Sequence, residues 1–245
     1  MSDETPRVAL VTGAGRRLGR AIAAALAADG IRVAAHYHRS SVGATALVAE
    51  AGPSHVALRA DLMDPEQAAS LPARAADHFG RLDILVNSAA IMVRQPLGTV
   101  TAADWDRVLA LNLRAPFLVT QAAAPLLRAA RGCVVNIADV SGRDPWPSYL
   151  PHSAAKAGLL ALTRGMAETL APEVRVNAVV PGAVLPPDDA SPQALERAAQ
   201  RALLRRLGTP TDVVGAVRFL IASAFVTGIE LVVDGGALAR ARSDG

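Results

Sequence analysis

RVALVTGAGRRLGRAIAAALAADG, residues 7–30, reads as a strand, a glycine turn and a helix. Arg7 to Thr12 is a short β-rich run that ends at Gly13, and Leu18, Ile22 and Leu26 then recur at helical spacing as far as Asp29-Gly30. A glycine-rich turn in that context lets backbone N–H groups approach a pyrophosphate, and the helix N-terminus adds favourable partial charge. A merely tight turn is the plainer alternative, and the flanking chain has to choose between them.

The same alternation runs on to the C-terminus. IRVAAHYH, HVALRADL, LDILVNSAA, CVVNIA, EVRVNAVV and GIELVVDGG read as six further strands, with helices over Ser41–Ala51, Pro65–Phe79, much of Leu97–Arg128 and Pro151–Leu170. Pro125 is expected to kink the far end of the third of these helices. CVVNIA is almost continuously apolar, as a strand covered on both faces of a parallel sheet should be. No composition break, repeat or low-complexity linker divides residues 1–245. They therefore read as one α/β domain, a doubly wound, mostly parallel seven-stranded sheet of Rossmann type with helices on both faces. Residues 1–6 are expected to form a flexible tail, and about 183–205, which includes AVLPPDDASPQ, a loop and helix over the substrate.

With 51% hydrophobic and 19% charged residues, the 245-residue chain can bury a large core. Its formal net charge is +3 with both signs interspersed, so neither nucleic acid nor a membrane surface is expected as partner, and a small anionic molecule suffices. The one cysteine, Cys133, lies in an apolar run; it excludes an intrachain disulfide and a cysteine metal cluster and reads as a core residue. No metal site is expected. MSDETPR is unlike a secretory leader and no uncharged apolar run approaches the ~18 residues of a membrane span, so a soluble cytoplasmic protein is expected.

The end of the second strand discriminates between nucleotides. A free ribose 2′-hydroxyl is usually met there by Asp or Glu, but this chain offers His36, Tyr37, His38, Arg39 and Ser40. A carboxylate would repel a 2′-phosphate, whereas these residues, with Arg16 and Arg17 on the adjoining turn, would bind it. The expected cofactor is NADPH.

The residues TGAGRRLG with Gly13, Leu18 and Gly19, HYHRS, Asp61-Leu62, NSAA from Asn87 to Ala90, Asn112, Asp139, Lys156 and Pro181-Gly182 resemble the short-chain dehydrogenase/reductase family. Within it the chain looks like the pteridine reductases and their bacterial relatives. The resemblance spans nearly the whole sequence, and the chain's only four asparagines, Asn87, Asn112, Asn136 and Asn177, all fall where the family pattern has one. It implies that Asp61 and Leu62 contact the adenine, that Asn87, Ser88 and Ala89 line the cofactor's path, and that Pro181 and Gly182 wall the nicotinamide. It further implies that Lys156 holds the nicotinamide ribose, that Asn112 positions a water for proton relay, and that the protein is a homotetramer or homodimer.

Lys156 is the only lysine beside 24 arginines, a compact amine kept where a guanidinium would not do the same work. Two positions depart from the family. His152 stands where a tyrosine usually donates the proton, still on the lysine's helical face at i, i+4, and Asp139 replaces a serine as it does in pteridine reductases. Three outcomes are open: His152 is itself the acid, Tyr149 swings in to replace it, or the site binds NADPH without efficient redox chemistry. The leading expectation is an NADPH-dependent reductase of a small carbonyl or pterin-like substrate. A 3-oxoacyl-thioester or sugar carbonyl reductase and a non-catalytic NADPH-binding regulator are the alternatives.

Overall fold

Seven apolar runs form the strands β1 (Val8–Val11), β2 (Arg32–Tyr37), β3 (Val56–Arg59), β4 (Ile84–Asn87), β5 (Cys133–Ile137), β6 (Arg175–Pro181) and β7 (Glu230–Val233). They pair in the order β3-β2-β1-β4-β5-β6-β7, every pair parallel. The computed structural model describes residues 6–186 and 190–240; the first five residues of the expected tail and residues 187–189 of the expected substrate-covering segment lie outside them. Among the described residues no helix is long and apolar enough to cross a membrane.

Successive strand residues point to opposite faces, and this period of two divides the core. Ala9 and Val11 of β1 join Val33, Val86 and Val135 beneath helices α1 (Arg17–Ala28), α2 (Ser41–Ala51) and, near the C-terminus, Pro210–Ala222. Val8 and Leu10 face the other way, with Leu85, Val134 and Val176 under α3 (Pro65–Phe79), Ala115–Ala130 and Leu150–Leu170. Both faces are thus covered, as the unbroken apolar strands required. The order reverses between β1 and β4, and the crevice beyond their carboxyl ends is where such sheets bind ligands.

The expected helix within Leu97–Arg128 is two helices, α4 (Ala102–Leu109) and α5 (Ala115–Ala130), joined by a π-helical turn at Ala110–Arg114. Helix α5 runs through Pro125 to Ala130, so the irregularity sits at Asn112 rather than at the proline. The remaining helices are α6 (Leu150–Leu170), α7 (Pro192–Arg201), α8 (Pro210–Ala222) and the single turn α9 (Ala237–Arg240).

Candidate active site

At the end of β1, Gly13 takes φ +70, and a Cβ there would lie 2.9 Å from the Ala89 Cα. Only glycine lets the segment after β4 close onto the turn. Thr12 fixes that approach, its hydroxyl oxygen accepting the N–H groups of Ser88 (2.9 Å) and Ala89 (3.1 Å). Helix α1 then begins with no side-chain cap at Arg16 and no acid in its first turn. A cradle that a side chain would fill, next to a helix end without an internal anion, fits a pyrophosphate. Leu18 packs on the core and Gly19 is buried beneath the turn, so both shape the cradle from below. Arg17, at φ +51, sends its guanidinium to the carbonyls of Leu185 and Pro186 and so bridges the turn to the segment after β6.

His36 corrects the expectation of a phosphate ligand. It is 2% exposed, its Nε2 donates to the Ala60 carbonyl at 3.1 Å, and its Nδ1 accepts the Gly13 N–H at 3.1 Å. Its own carbonyl accepts the Ala14 N–H at 2.8 Å. The first two amides of the glycine turn are therefore held by His36 and do not reach for an anion. Burial, outweighing the Ala60 bond, pushes the imidazole down to about 4 from its usual value of 6.5, with His38 and Arg74 acting in the same direction. Because the folded state resists a proton that the unfolded chain accepts, stability should fall as pH drops from 6.5 toward 4, by about 3 kcal/mol in all. We expect His36→Asn, whose amide oxygen can still accept the Gly13 N–H but cannot titrate, to flatten the melting temperature across that window. An unchanged pH dependence would remove His36 as its source.

Tyr37, His38, Arg39 and Ser40 remain accessible at the end of β2, and Arg39 has no hydrogen bond or ion pair among the described residues. His38 lies 3.8 Å from Asp61, whose other oxygen accepts the Met63 N–H at 3.0 Å. The Leu62 side chain is buried in the core under α3. Asn87 is buried too, its amide donating to Thr120 (3.1 Å) and to Asn136 (2.9 Å), which in turn donates to Thr163. This buried chain ties β4 and β5 to α5 and α6, and it explains why asparagine occupies two apolar strands.

The catalytic candidates converge beyond β5. Asp139 caps a short 3-10 turn, Val140–Gly142, one carboxylate oxygen accepting the Ser141 N–H (2.8 Å) and hydroxyl, which leaves the other 2.5 Å from His152 Nε2. Burial works to raise this carboxyl, but the His152 bond and the charge of Lys156 outweigh it and hold the group below the usual carboxylate range. Lys156 is buried one turn along α6, its ammonium donating to the Ile137 carbonyl at 2.7 Å, with two N–H groups uncommitted among the described residues. Burial pushes its pKa down, against the pull of Asp139.

Asn112 enters this cluster from the π turn. Its oxygen accepts the Ile91 N–H (2.9 Å) and its nitrogen donates to the Ile91 carbonyl (2.7 Å), so it braces the segment after β4. The same nitrogen is 3.1 Å from His152 Nδ1, and so is the Ile91 carbonyl oxygen. His152 thus has a donor available for its neutral ring and an acceptor for its protonated ring, at equal distance. Its side chain is 4% exposed against 19% for Asp139, which makes the carboxylate the member that faces outward. Tyr149 packs edge-on against Trp146, ring centroids 5.8 Å apart, as a loop aromatic would. Both line a cleft of about 1460 Å³ that runs from Val140 past Gly182 toward α7. Thr12 and Ser141 were not singled out by sequence pattern, although an Asp followed two residues later by Ser is a recognisable turn signature.

A family model described as Enoyl-(Acyl carrier protein) reductase matches residues 13–237. The 3-oxoacyl-[acyl-carrier-protein] reductase of Synechocystis sp. is 39% identical over 244 residues, covering 96% of this chain and 98% of that protein. Among solved structures, a protein described as a short-chain alcohol dehydrogenase from Sinorhizobium meliloti superposes with a TM-score of 0.89 at 36% identity, over 97% of this chain and 98% of that one. A blue fluorescent protein from a metagenomic library, crystallised with NADPH, gives 0.88 at 36% identity, over 94% and 97%.

Proposed function

The chain belongs to the short-chain dehydrogenase/reductase family, and from that premise we propose that it is an NADPH-dependent reductase of a small carbonyl substrate, foremost a 3-oxoacyl thioester, in which Asp139 and His152 together supply the proton. The observation that carries this reading is the 2.5 Å contact between the two side chains, on the face of α6 that also presents Lys156. The thioester is favoured over a pterin by the Synechocystis relative, and NADPH by the crystallised neighbour and by the exposed, unpaired Arg39.

Bound NADPH supplies the hydride; the carbonyl oxygen then needs one proton. In the protonated imidazole, Nδ1–H rests on the Ile91 carbonyl and Nε2–H on Asp139. The proton leaves Nε2, passes through the outward-facing carboxylate to the substrate oxygen, and leaves a neutral ring with Nδ1–H still on Ile91. Solvent protonation at Nε2 resets the pair. The other neutral tautomer, with Nδ1 accepting from Asn112, keeps its one proton at Nε2 and would have to become an imidazolate to release it, so only the doubly protonated ring charges the pair. The uncommitted N–H groups of Lys156 would hold the ribose hydroxyls, and its charge steadies the carboxylate.

NADPH oxidation measured with an acetoacetyl thioester and with dihydrobiopterin tests the reading. We expect faster turnover of the thioester; a preference for the pterin would restore the second reading, which Asp139 favours by likeness. No turnover of a broad carbonyl panel despite tight NADPH binding would leave a regulator. Arg39→Asp is expected to cut the preference for NADPH over NADH by about 10- to 100-fold, the worth of a charge-assisted phosphate contact. Equal use of both cofactors by the unaltered protein would rule out the phosphate pocket. We place the enzyme in the cytoplasm as a homotetramer or homodimer. Exposed Phe219, Phe225 and Ile229, beside the edge strand β7, are the surface we assign to assembly.

A further inference from the structure

Glu230, the first residue of β7, is a poor fit to the strand it stands in. Its side chain is 8% exposed, and a carboxylate taken out of water in an otherwise apolar strand costs free energy that a β-branched residue there would not. Both of its oxygens are nevertheless occupied. One accepts the Nε and Nη2 groups of Arg143, at 2.7 and 2.6 Å, and the other accepts Nη1 of Arg164. These two arginines come from the two elements whose side chains form the proton-supplying pair. Arg143 ends the 3-10 turn that Asp139 caps, its N–H donating to the Val140 carbonyl at 3.0 Å, and Arg164 lies on α6 with His152 and Lys156.

The turn and the helix already touch at their catalytic end, where a Cβ on Gly142 would stand 2.9 Å from the Lys156 carbonyl carbon. Beyond that contact β7 backs both of them. Val232, on the same face of β7 as Glu230 because side chains alternate, packs against the cluster that holds Val140 of the turn and Leu160 of α6. Glu230 continues this seam with a charge in place of a methyl group. Apolar contact is non-directional and sets only how closely two surfaces approach. Charge-assisted bonds from two guanidinium groups to one carboxylate add direction, and so fix where the turn stands along the helix.

We propose that Glu230 is a positioning residue for the proton transfer: it ties the Asp139 turn, through Arg143, to α6, through Arg164, and so holds Asp139 within reach of His152. The inference rests on the reading of Asp139 and His152 as the proton source and deepens it. The contact it governs is the 2.5 Å one between the Asp139 carboxylate and His152 Nε2. Neither Glu230 nor its two arginines lines the cleft, so loss of the carboxylate leaves the substrate wall in place.

In Glu230→Gln the amide keeps one acceptor oxygen and turns its own N–H groups toward the other guanidinium, so one arm is released. With NADPH and an acetoacetyl thioester we expect kcat to fall about 10- to 100-fold, the cost of moving a reacting group by about an ångström, while KM for NADPH holds. The ring-nitrogen NMR shifts of His152, read through its carbon-bound protons and assigned against His152→Ala, should move as the Asp139 bond lengthens. A smaller folded fraction would not move them. Arg143→Met and Arg164→Met each release one arm and should each reproduce both changes. Their double variant should lose little more than the worse single one, because one carboxylate carries both arms. Arg218→Met is the control, since it breaks a bidentate pair with Asp29, between α8 and the end of α1, away from the site. Unchanged ring shifts in Glu230→Gln, additive losses in the arginine double variant, or equal effects in Arg218→Met would overturn the clamp. If the unaltered protein reduces nothing, the reductase reading fails, and the ring shifts alone decide. A movement in Glu230→Gln that Arg218→Met lacks supports the clamp, and its absence rejects it.

Discussion

His152→Ala is expected to lower kcat by about 10²- to 10⁴-fold, the usual worth of a positioned general acid, while NADPH still binds. The alanine removes the ring that sits 2.5 Å from Asp139 and leaves that carboxylate, among the described residues, with the Ser141 hydrogen bonds. Tyr149→Phe should cost far less, because the Tyr149 ring is engaged with Trp146 and not with the pair. Unchanged kinetics in His152→Ala, or a larger loss in Tyr149→Phe, would end the case for the pair and return the donor to the tyrosine.

Gly43→Ala should destabilise the protein although it replaces a helical glycine by the best helix former. On propensity alone the change would stabilise by about 0.5–1 kcal/mol. At this position an added Cβ would run into the Gly15 carbonyl oxygen and stand 3.0 Å from its carbon, both rigid backbone. Either α2 retreats or the glycine turn shifts, at a cost of about 1–3 kcal/mol. Distortion of the turn should also weaken NADPH. Gly165→Ala in α6 is the control, since its Cβ would meet nothing within 4 Å. Opposite signs of the melting-temperature change in the two variants are expected; a stabilised Gly43→Ala would show that the two segments do not press on each other.

The sheet was legible because its signal is periodic. Ser41–Ala51 and Pro65–Phe79 appear as helices with the bounds expected from breakers such as Gly52-Pro53, and each strand falls within its apolar run except β6, which extends one residue further to Pro181. The π turn at Asn112 was not legible, because nothing in ALNLR departs from helical character except the asparagine itself. Residue type was readable where direction was not. His36 and Asn87 lie at the ends of β2 and β4, yet side chains there can face either the crevice or the layers beneath it, and only packing in three dimensions decides. Asp139, His152 and Lys156 were legible as a group because helical spacing and a lone lysine marked them. Their roles came from hydrogen bonds to Ser141, Ile91 and Asn112, distant in sequence except for the first.

The double grip of His36 on Gly13 and Ala14 sets a rule for redesign. Cofactor preference is read by the accessible residues 37–40, while the residue just before them is a beam of the neighbouring turn. A graft that brings an acidic specificity segment into this scaffold should start at Tyr37 and keep the imidazole behind it. One that also replaces His36 would change the shape of the cradle along with its selectivity, and the two effects could no longer be told apart.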